Sequence, residues 1–287
     1  MCELFGKTRQ AYYKSKKTTF KESIMEDLIL TLVMKIRENQ KRIGGRKLLK
    51  LIIPELPEKG LIGRDAFFNL LRDNGMLVRR RRLRAYTTNS YHHYHKFPNL
   101  IKEFVPNKAN QLWVSDITYI KTESGFVYLY LITDAYSRKI VGWSLSNTLE
   151  AQNAVEALEM ALSQMPKDTK GLIHHSDRGI QYCCIKYVNC LQKHKINISM
   201  TEKSDPYENA IAERVNGILK TEWLYDMNLK NCDDTKEVVH EIIGIYNTLR
   251  PHLSIDMLTP DQAHQKTGTL KKLWKTYKRK KENEIIV

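Results

Sequence analysis

Three acidic residues in the middle of the sequence lie where a carboxylate could do chemistry. Asp116 has apolar neighbours in a stretch rich in Val, Ile and Tyr, Asp177 follows a short apolar stretch, and Glu213 lies in a segment with helical periodicity. A carboxylate inside an apolar strand is costly unless something compensates its charge. Carboxylates suit Mg²⁺ or Mn²⁺, and two such ions can neutralise a phosphate, activate an oxygen nucleophile and stabilise a leaving oxygen. Phosphodiester transfer is therefore the chemistry these acids suggest.

The segment around Glu213 is predicted to be a helix over residues 209–225. Its predicted first turn contains a good N-cap, a proline and a capping-box glutamate, namely Asp205, Pro206 and Glu208. Glu208 thus has a structural role, which leaves Glu213 available for another.

The same helix is predicted to have two faces. At 100° per residue one face is apolar, and the polar side chains that cluster on the opposite face are Asn209, Glu213, Asn216 and Lys220. A carboxylate flanked by two amides and a lysine suits a metal ion with a phosphate nearby. The alternative is an ordinary solvated helix face.

The elements that must position the acids follow from hydrophobic periodicity. A hairpin is predicted over residues 112–121 and 126–133, and Asp134 ends its second strand. The remaining predicted strands are 139–145, 171–174 and 196–200, and the helices are 151–163, 181–193, 209–225 and 236–247. Three meandering strands followed by alternating helices and strands predict an α/β fold, a mixed five-stranded sheet with helices on both faces. This order resembles that of ribonuclease-H-like domains.

The first part of the sequence is predicted to be helical. A turn and a short helix are expected within residues 1–17, and further helices over 22–37, 46–53 and 62–73. The last two helices fit a helix-turn-helix unit, in which the second would read a DNA groove.

Charge is unevenly distributed along the 287 residues, whose formal net charge is +15. Residues 1–100 carry +13, residues 101–266 carry −3 and residues 267–287 carry +5. Basic ends suit a polyanion such as DNA, and a carboxylate-rich metal site would explain the acidic middle. The arginines predicted to contact the phosphate backbone are Arg79, Arg80, Arg81, Arg82 and Arg84. A solvated surface arm is the alternative for this run.

Some classes of protein are disfavoured by composition. No apolar run is long enough to span a membrane and no signal-peptide pattern opens the chain, so a cytoplasmic protein without a membrane partner is expected. The five cysteines are odd in number and lack Cys-x-x-Cys spacing. A disulfide scaffold and a structural zinc site are therefore not expected.

The spacing of the three acids, with 35 residues between Asp177 and Glu213, resembles the Asp-Asp-Glu (DDE) pattern of retroviral-integrase-like transposases. The surrounding motifs are Trp113-x-x-Asp116-x-Thr118, His175-Ser176-Asp177-x-Gly179-x-Gln181-Tyr182, Asn209-Ala210-x-x-Glu213, Tyr246-Asn247-x-x-Arg250-Pro251-His252 and Thr259-Pro260. With these motifs the chain resembles an insertion-sequence transposase of the two-reading-frame type, specifically its downstream-frame product.

The resemblance implies an enzyme that cleaves DNA at the ends of its element and transfers the strand to a target. It implies that Asp116, Asp177 and Glu213 are catalytic and hold two Mg²⁺ ions, for which Mn²⁺ can substitute, with Asp116 bridging them. Asp134 and His175 are expected to act behind these ligands or as structural residues. The side chains expected to contact DNA, besides the arginine run, are Lys220, Asn209, Asn216 and Arg250.

The expected organisation has four parts. Residues 1–85 form the helix-turn-helix region, 86–102 a linker, 103–267 the integrase-type catalytic core and 268–287 a basic tail. The expected DNA partners are the terminal repeats of the element and target DNA. The expected protein partners are further copies of this chain on DNA and the product of the upstream frame. The expected location is a bacterial cytoplasm, and the nucleoid when the protein is bound to DNA. Two other functions remain open: a DNA-binding relic or regulator without activity, and a ribonuclease-H-like nuclease without strand transfer.

Overall fold

The computed structural model describes residues 8–57, 62–78, 94–202 and 209–273. The chain divides into two compact units, Met1–Ala85 with Ile218–Met227, and Tyr86–Gly217 with Asn228–Val287. The arginine run Arg79, Arg80, Arg81, Arg82 and Arg84 and the predicted cap residues Asp205, Pro206 and Glu208 lie outside the described residues. Within the described ranges, no helix has the length and apolar composition needed to cross a membrane.

The first unit is built on three helices, α1 (Arg9–Asn39), α2 (Gly45–Ile52) and α3 (Arg64–Asp73). A helical region was predicted here and is confirmed, but the two helices expected before residue 40 are one continuous helix. Their apolar side chains share one core, which consists of Ile29, Val33, Ile43, Leu48, Ile52, Leu56, Phe67, Leu70 and Leu71.

Residues 218–227 belong to this first unit. The buried Trp223 donates from Nε1 to the backbone oxygen of Asn39 at 2.8 Å. Lys47 pairs with Glu222 at 3.3 Å, and both side chains are largely buried. The first unit therefore contains the C-terminal end of the helix that carries Glu213.

The second unit contains a five-stranded sheet in the order β3-β2-β1-β4-β5. Its strands are β1 (Leu112–Thr122), β2 (Gly125–Asp134), β3 (Ile140–Ser146), β4 (Ile173–Ser176) and β5 (Asn197–Met200). The first three strands are antiparallel neighbours, whereas β4 pairs parallel with β1 and with β5. The predicted mixed five-stranded sheet is confirmed.

Among the described residues that follow β3, six segments form α-helices. They are α4 (Ala151–Gln164), α5 (Ile180–Cys183), α6 (Ile185–Lys193), α7 (Ala210–Glu222), α8 (Cys232–Thr248) and α9 (Pro260–His264). The single helix predicted over 181–193 is wrong, because Cys184 adopts an extended backbone between α5 and α6. The helix predicted over 209–225 begins at Ala210 and ends at Glu222.

Alternation along β1 directs side chains to two different layers, since successive residues of a strand face opposite sides. Trp113 and Ile117 join the core that contains the apolar face of α4, whereas Leu112 and Val114 pack with Ala212 of α7. Asp116 has the same parity as Leu112 and Val114. The sequence of β1 therefore places this carboxylate on the α7 side of the sheet.

Close contact between α4 and the sheet depends on Gly142 of β3. A Cβ atom at this position would lie 2.1 Å from the backbone oxygen of Ala157 and 2.9 Å from the Cβ of Ala161. Only glycine lets the helix approach this closely.

Candidate active site

Asp116 lies in the middle of β1 and is half-buried. Its Oδ1 accepts a hydrogen bond from the backbone N–H of Ile117 at 2.9 Å, and its Oδ2 accepts one from Asn216 Nδ2 at 2.7 Å. Each carboxylate oxygen can accept about two hydrogen bonds. Both oxygens are therefore oriented by one donor and keep capacity for a further ligand.

Asp177 follows β4 at the position next to Asp116. Val114 of β1 pairs with His175 of β4, and each aspartate lies two residues further along the chain, Asp116 within β1 and Asp177 just after β4. Neighbouring strands lie roughly 4.8 Å apart. The parallel register of β1 and β4 therefore places the two aspartates at adjacent positions of the sheet.

A tight turn fixes the Asp177 carboxylate. Its Oδ1 accepts a hydrogen bond from the backbone N–H of Gly179 at 3.0 Å. A Cβ atom added to Gly179 would lie 3.0 Å from that oxygen and 3.3 Å from Gln181 Oε1. The glycine of the Asp177-x-Gly179 motif is therefore required by close approach to the acid.

Glu213 lies in the first turn of α7 and its side chain is exposed. Its backbone N–H donates to the oxygen of Asn209 at 3.2 Å, which fixes the start of the helix. Loss of hydration beside the neighbouring protein raises the pKa of this carboxyl above its ordinary value.

The three acids act on one another electrostatically. Burial, followed by the negative charge of Asp177, raises the pKa of Asp116 to about 7, and Glu213 acts in the same direction. The hydrogen bonds from Asn216 and Ile117 oppose this rise. Burial and the neighbouring carboxylates both disfavour the ionised form of Asp116. A cation bound among these acids would favour that ionised form and lower the pKa.

The donor set fits divalent cations that prefer oxygen. Magnesium is commonly held by one or two carboxylates together with water and substrate phosphates, without a closed protein cage. Within the described residues, no group of three His, Cys, Asp or Glu side chains is close enough to hold a metal by itself.

A buried polar network lies at Ser115, on the opposite side of the sheet from the Asp116 carboxylate, and the sequence pattern did not predict it. Ser115 Oγ and Tyr187 Oη lie 2.6 and 2.8 Å from His174 Nε2. Burial lowers the pKa of His174 to about 3, so this imidazole is neutral. The only signal in the sequence was a histidine inside a short apolar strand.

The acid and the histidine predicted to lie behind the metal ligands both have hydrogen-bond partners within the protein. Asp134 is buried; its Oδ1 accepts hydrogen bonds from the backbone of Tyr136 and from the backbone and hydroxyl of Ser137, and its Oδ2 accepts one from the backbone of Asn110. These contacts support the structural interpretation of Asp134. His175 is also buried, and its Nδ1 lies 2.8 Å from Ser199 Oγ.

Three of the side chains predicted to contact DNA are buried, which corrects that part of the analysis. Asn209 donates to the backbone oxygen of Ser115, and Asn216 donates to Asp116. Arg250 is 1% exposed, and its Nη1 lies 2.8 Å from His252 Nε2. The polar face of α7 therefore packs on β1, because its amides satisfy groups of that strand. Lys220 lies near the end of α7 and is half-buried.

Comparison with known proteins agrees with this geometry. The integrase core domain family matches residues 106–206, and a second integrase core domain family matches residues 194–260. The uncharacterized 31 kDa protein of insertion element IS600 from Shigella sonnei is 35% identical over 93% of this chain and 98% of its own length. Transposase InsF for insertion sequence IS3A from Escherichia coli is 34% identical over 66% of this chain and 68% of its own. The chain belongs to the insertion-sequence transposases.

This membership confirms the predicted transposase with an integrase-type core, and with it an enzyme of the polynucleotidyl transferase class. Among solved structures, the HTLV-2 integrase catalytic core domain in complex with magnesium is 20% identical. The match covers 56% of this chain and 100% of the integrase chain, with a TM-score of 0.46.

Proposed function

We propose that this transposase cuts DNA at the ends of its insertion sequence and joins the cut ends to target DNA, with Asp116, Asp177 and Glu213 as the catalytic residues. The observation that carries the proposal is the parallel register of β1 and β4, which places Asp116 and Asp177 at adjacent positions of the sheet, while Asn216 of α7, the helix that bears Glu213, donates to Asp116. An accumulation of negative charge at a fixed position is what a metal-dependent phosphoryl-transfer site requires.

The same carboxylates are proposed to hold two Mg²⁺ ions, with Mn²⁺ as a substitute. Asp116 would be shared between the ions, while Asp177 and Glu213 would each hold one. When bound, the ions would neutralise charge on the reacting phosphate and favour deprotonation of the attacking oxygen. The protein contributes the orientation of Asp116 and Asp177, both of which accept backbone hydrogen bonds.

The proposed reaction has two steps with the same bond changes. In cleavage, the oxygen of water bonds to phosphorus, the bond from phosphorus to the 3′ oxygen breaks, and that oxygen takes up a proton. In strand transfer, the resulting 3′-hydroxyl loses its proton and its oxygen bonds to a phosphorus of the target. The bond from that phosphorus to the target's 3′ oxygen breaks, and the released oxygen takes up a proton. One phosphodiester replaces another, so this step needs no ATP.

DNA is proposed to bind the first unit through the helix-turn-helix of α2 and α3 and through the arginine run. Lys220 is proposed to bind a phosphate of the element end, because it follows Glu213 by about two turns of the same helix. Further copies of the chain on DNA and the product of the upstream frame are the proposed protein partners.

The test uses the full chain, with and without fusion to the upstream frame, labelled DNA carrying the ends of its own element, and a target plasmid. Labelled ends that become covalently joined to the plasmid would support the proposal. Cut ends without joined products would indicate a nuclease, and retention of uncut DNA in a gel would indicate a DNA-binding regulator. Either of these two results, obtained with both proteins, would contradict strand transfer.

A further inference from the structure

Two asparagines, Asn209 immediately before α7 and Asn216 within it, donate hydrogen bonds to adjacent residues of β1. Asn209 Nδ2 donates to the backbone oxygen of Ser115 at 3.0 Å, and Asn216 Nδ2 donates to Oδ2 of Asp116 at 2.7 Å. Both side chains are more than nine-tenths buried. They therefore anchor the same helix on the same strand, but only Asn216 contacts a proposed catalytic carboxylate.

We propose that Asn216 is a positioning residue that holds the Asp116 carboxylate in the orientation needed to bind a divalent cation. This inference rests on the proposed function, because it assigns Asp116 as a metal ligand. It gives Asn216 a specific task beyond packing α7 on the sheet.

The geometry of the two donors supports this task. Ile117 N–H binds Oδ1 of Asp116 from the strand, and Asn216 binds Oδ2 from the helix. The terminal torsion of an aspartate is otherwise broad, so a single donor would leave the carboxylate free to turn. With one donor on each oxygen, the plane of the carboxylate is fixed and each oxygen keeps a lone pair for a cation.

The chemistry of this position favours an amide. A second carboxylate 2.7 Å from Asp116 would repel it, and a lysine or arginine would neutralise the charge that a metal needs. A neutral donor orients the acid without either effect. Among the described residues, Oδ1 of Asn216 is buried and has no hydrogen-bond partner. A buried oxygen without a hydrogen-bond partner destabilises the fold. The presence of asparagine at this position is therefore explained by the hydrogen bond that its Nδ2 donates to Asp116.

Asn209 provides a matched control. Its amide docks the same helix one residue away on β1, and its Oδ1 also has no hydrogen-bond partner among the described residues. If the asparagines served only to dock α7, the two substitutions Asn209→Leu and Asn216→Leu would have similar consequences. Leucine resembles asparagine in branching and removes the donor without adding a charge.

The experiment measures Mn²⁺ binding to the full chain by calorimetry and by the loss of the free Mn²⁺ signal in electron paramagnetic resonance. Thermal unfolding of each variant is measured in parallel. Partners that orient metal ligands typically contribute 10–100-fold to metal affinity. We therefore expect Asn216→Leu to weaken Mn²⁺ binding about tenfold or more, and Asn209→Leu to change it by less than about threefold at comparable loss of thermal stability.

Asn216→Ala, which needs no space for a larger side chain, replaces Asn216→Leu if the latter does not fold. Mn²⁺ affinity in the Asn216 variant equal to that of wild type would overturn the proposal. Equal weakening in the Asn209 and Asn216 variants would also overturn it, because docking of α7 would then explain both. Asp116→Asn separates the two claims: if wild type binds Mn²⁺ no better than Asp116→Asn, the proposed metal site itself fails.

Discussion

Asp177 lies beside Asp116 because Val114 and His175, each two residues earlier, are partners in the parallel pairing of β1 with β4. The two aspartates are thus positioned by the backbone of the sheet. Glu213 reaches the site from a different layer, on α7, which Asn209 and Asn216 fasten to β1. One acid lies within a strand, one directly after a strand and one on a helix, so the position of the third depends on how that helix packs on the sheet.

The raised pKa of Asp116 predicts a pH-dependent cost in stability. A carboxyl with a pKa of about 7 in the folded protein and about 3.9 when unfolded stabilises the fold only at low pH, and this stabilisation is lost as the pH rises to about 7. Asp116→Asn cannot ionise. We expect the free energy of unfolding of this variant, relative to wild type, to rise by about 1–3 kcal/mol from pH 5 to pH 8 without metal.

Urea unfolding of both proteins at each pH measures this difference. Wild type alone would not give this information, because burial lowers the pKa of His174 and so makes the free energy of unfolding rise with pH over a similar range. His174 is present in both proteins, so its contribution cancels in the difference between them. Mg²⁺ should reduce the difference in free energy of unfolding between Asp116→Asn and wild type at pH 8. If this difference is the same at pH 5 and pH 8, the pKa of Asp116 is not raised in the folded protein.

Gly179→Ala should impair catalysis with little effect on DNA binding. The added Cβ would lie 3.0 Å from Oδ1 of Asp177, so the carboxylate must shift by a few tenths of an ångström. We expect the cleavage rate at saturating DNA to fall about tenfold, since misplacement of a catalytic group on this scale is costly. The matched control is Gly244→Ala in α8, where a Cβ meets nothing within 4 Å. Equal cleavage rates in the two variants would contradict the prediction.

The ion pair between Lys47 and Glu222 predicts a coupled stability effect in the first unit. The side chains are only 10% and 13% exposed, so removing one partner leaves a poorly solvated charge. Glu222→Leu should lower the free energy of unfolding by about 1–3 kcal/mol, and Lys47→Met added to it should restore part of the loss. Denaturant unfolding of the single and double variants measures this coupling. Additive losses would mean that the pair contributes nothing.

Neutralising Arg79 to Arg82 should weaken binding of element-end DNA and of random DNA by similar factors. Contacts with phosphates carry no sequence information, and each lost contact should reduce the slope of log K against log salt by about one. Fluorescence anisotropy at several salt concentrations measures both quantities. An unchanged slope would make the run a solvated arm.

Much of the second unit could be predicted from the sequence, because its signals are local. The hairpin of β1 and β2 follows from two runs of strand-forming residues and a turn at Glu123 and Ser124. The three acids were predicted from their spacing and motifs, and the parallel register explains why the first two meet.

Errors arose where tertiary contacts override local pattern. Periodicity placed Asn209 and Asn216 on a polar face, but both amides are buried because they donate hydrogen bonds to β1. Arg250 was assigned to DNA because of its charge, whereas the structure buries its guanidinium beside His252 and over the ring of Tyr246. A sequence without its fold does not show which polar groups find partners inside.

The most direct test of the catalytic claim compares wild type with Asp116→Asn, Asp177→Asn and Glu213→Gln. Each protein is incubated in Mg²⁺ with labelled element ends and a target plasmid. The chain is used alone or fused to the upstream frame, whichever of the two is active for wild type. We expect wild type to give cut and joined products, and each variant to lose both by a factor of a thousand or more while its DNA affinity stays within about threefold. Joined products from any of the three variants at more than a tenth of the wild-type rate would contradict the assignment of these carboxylates as the catalytic site.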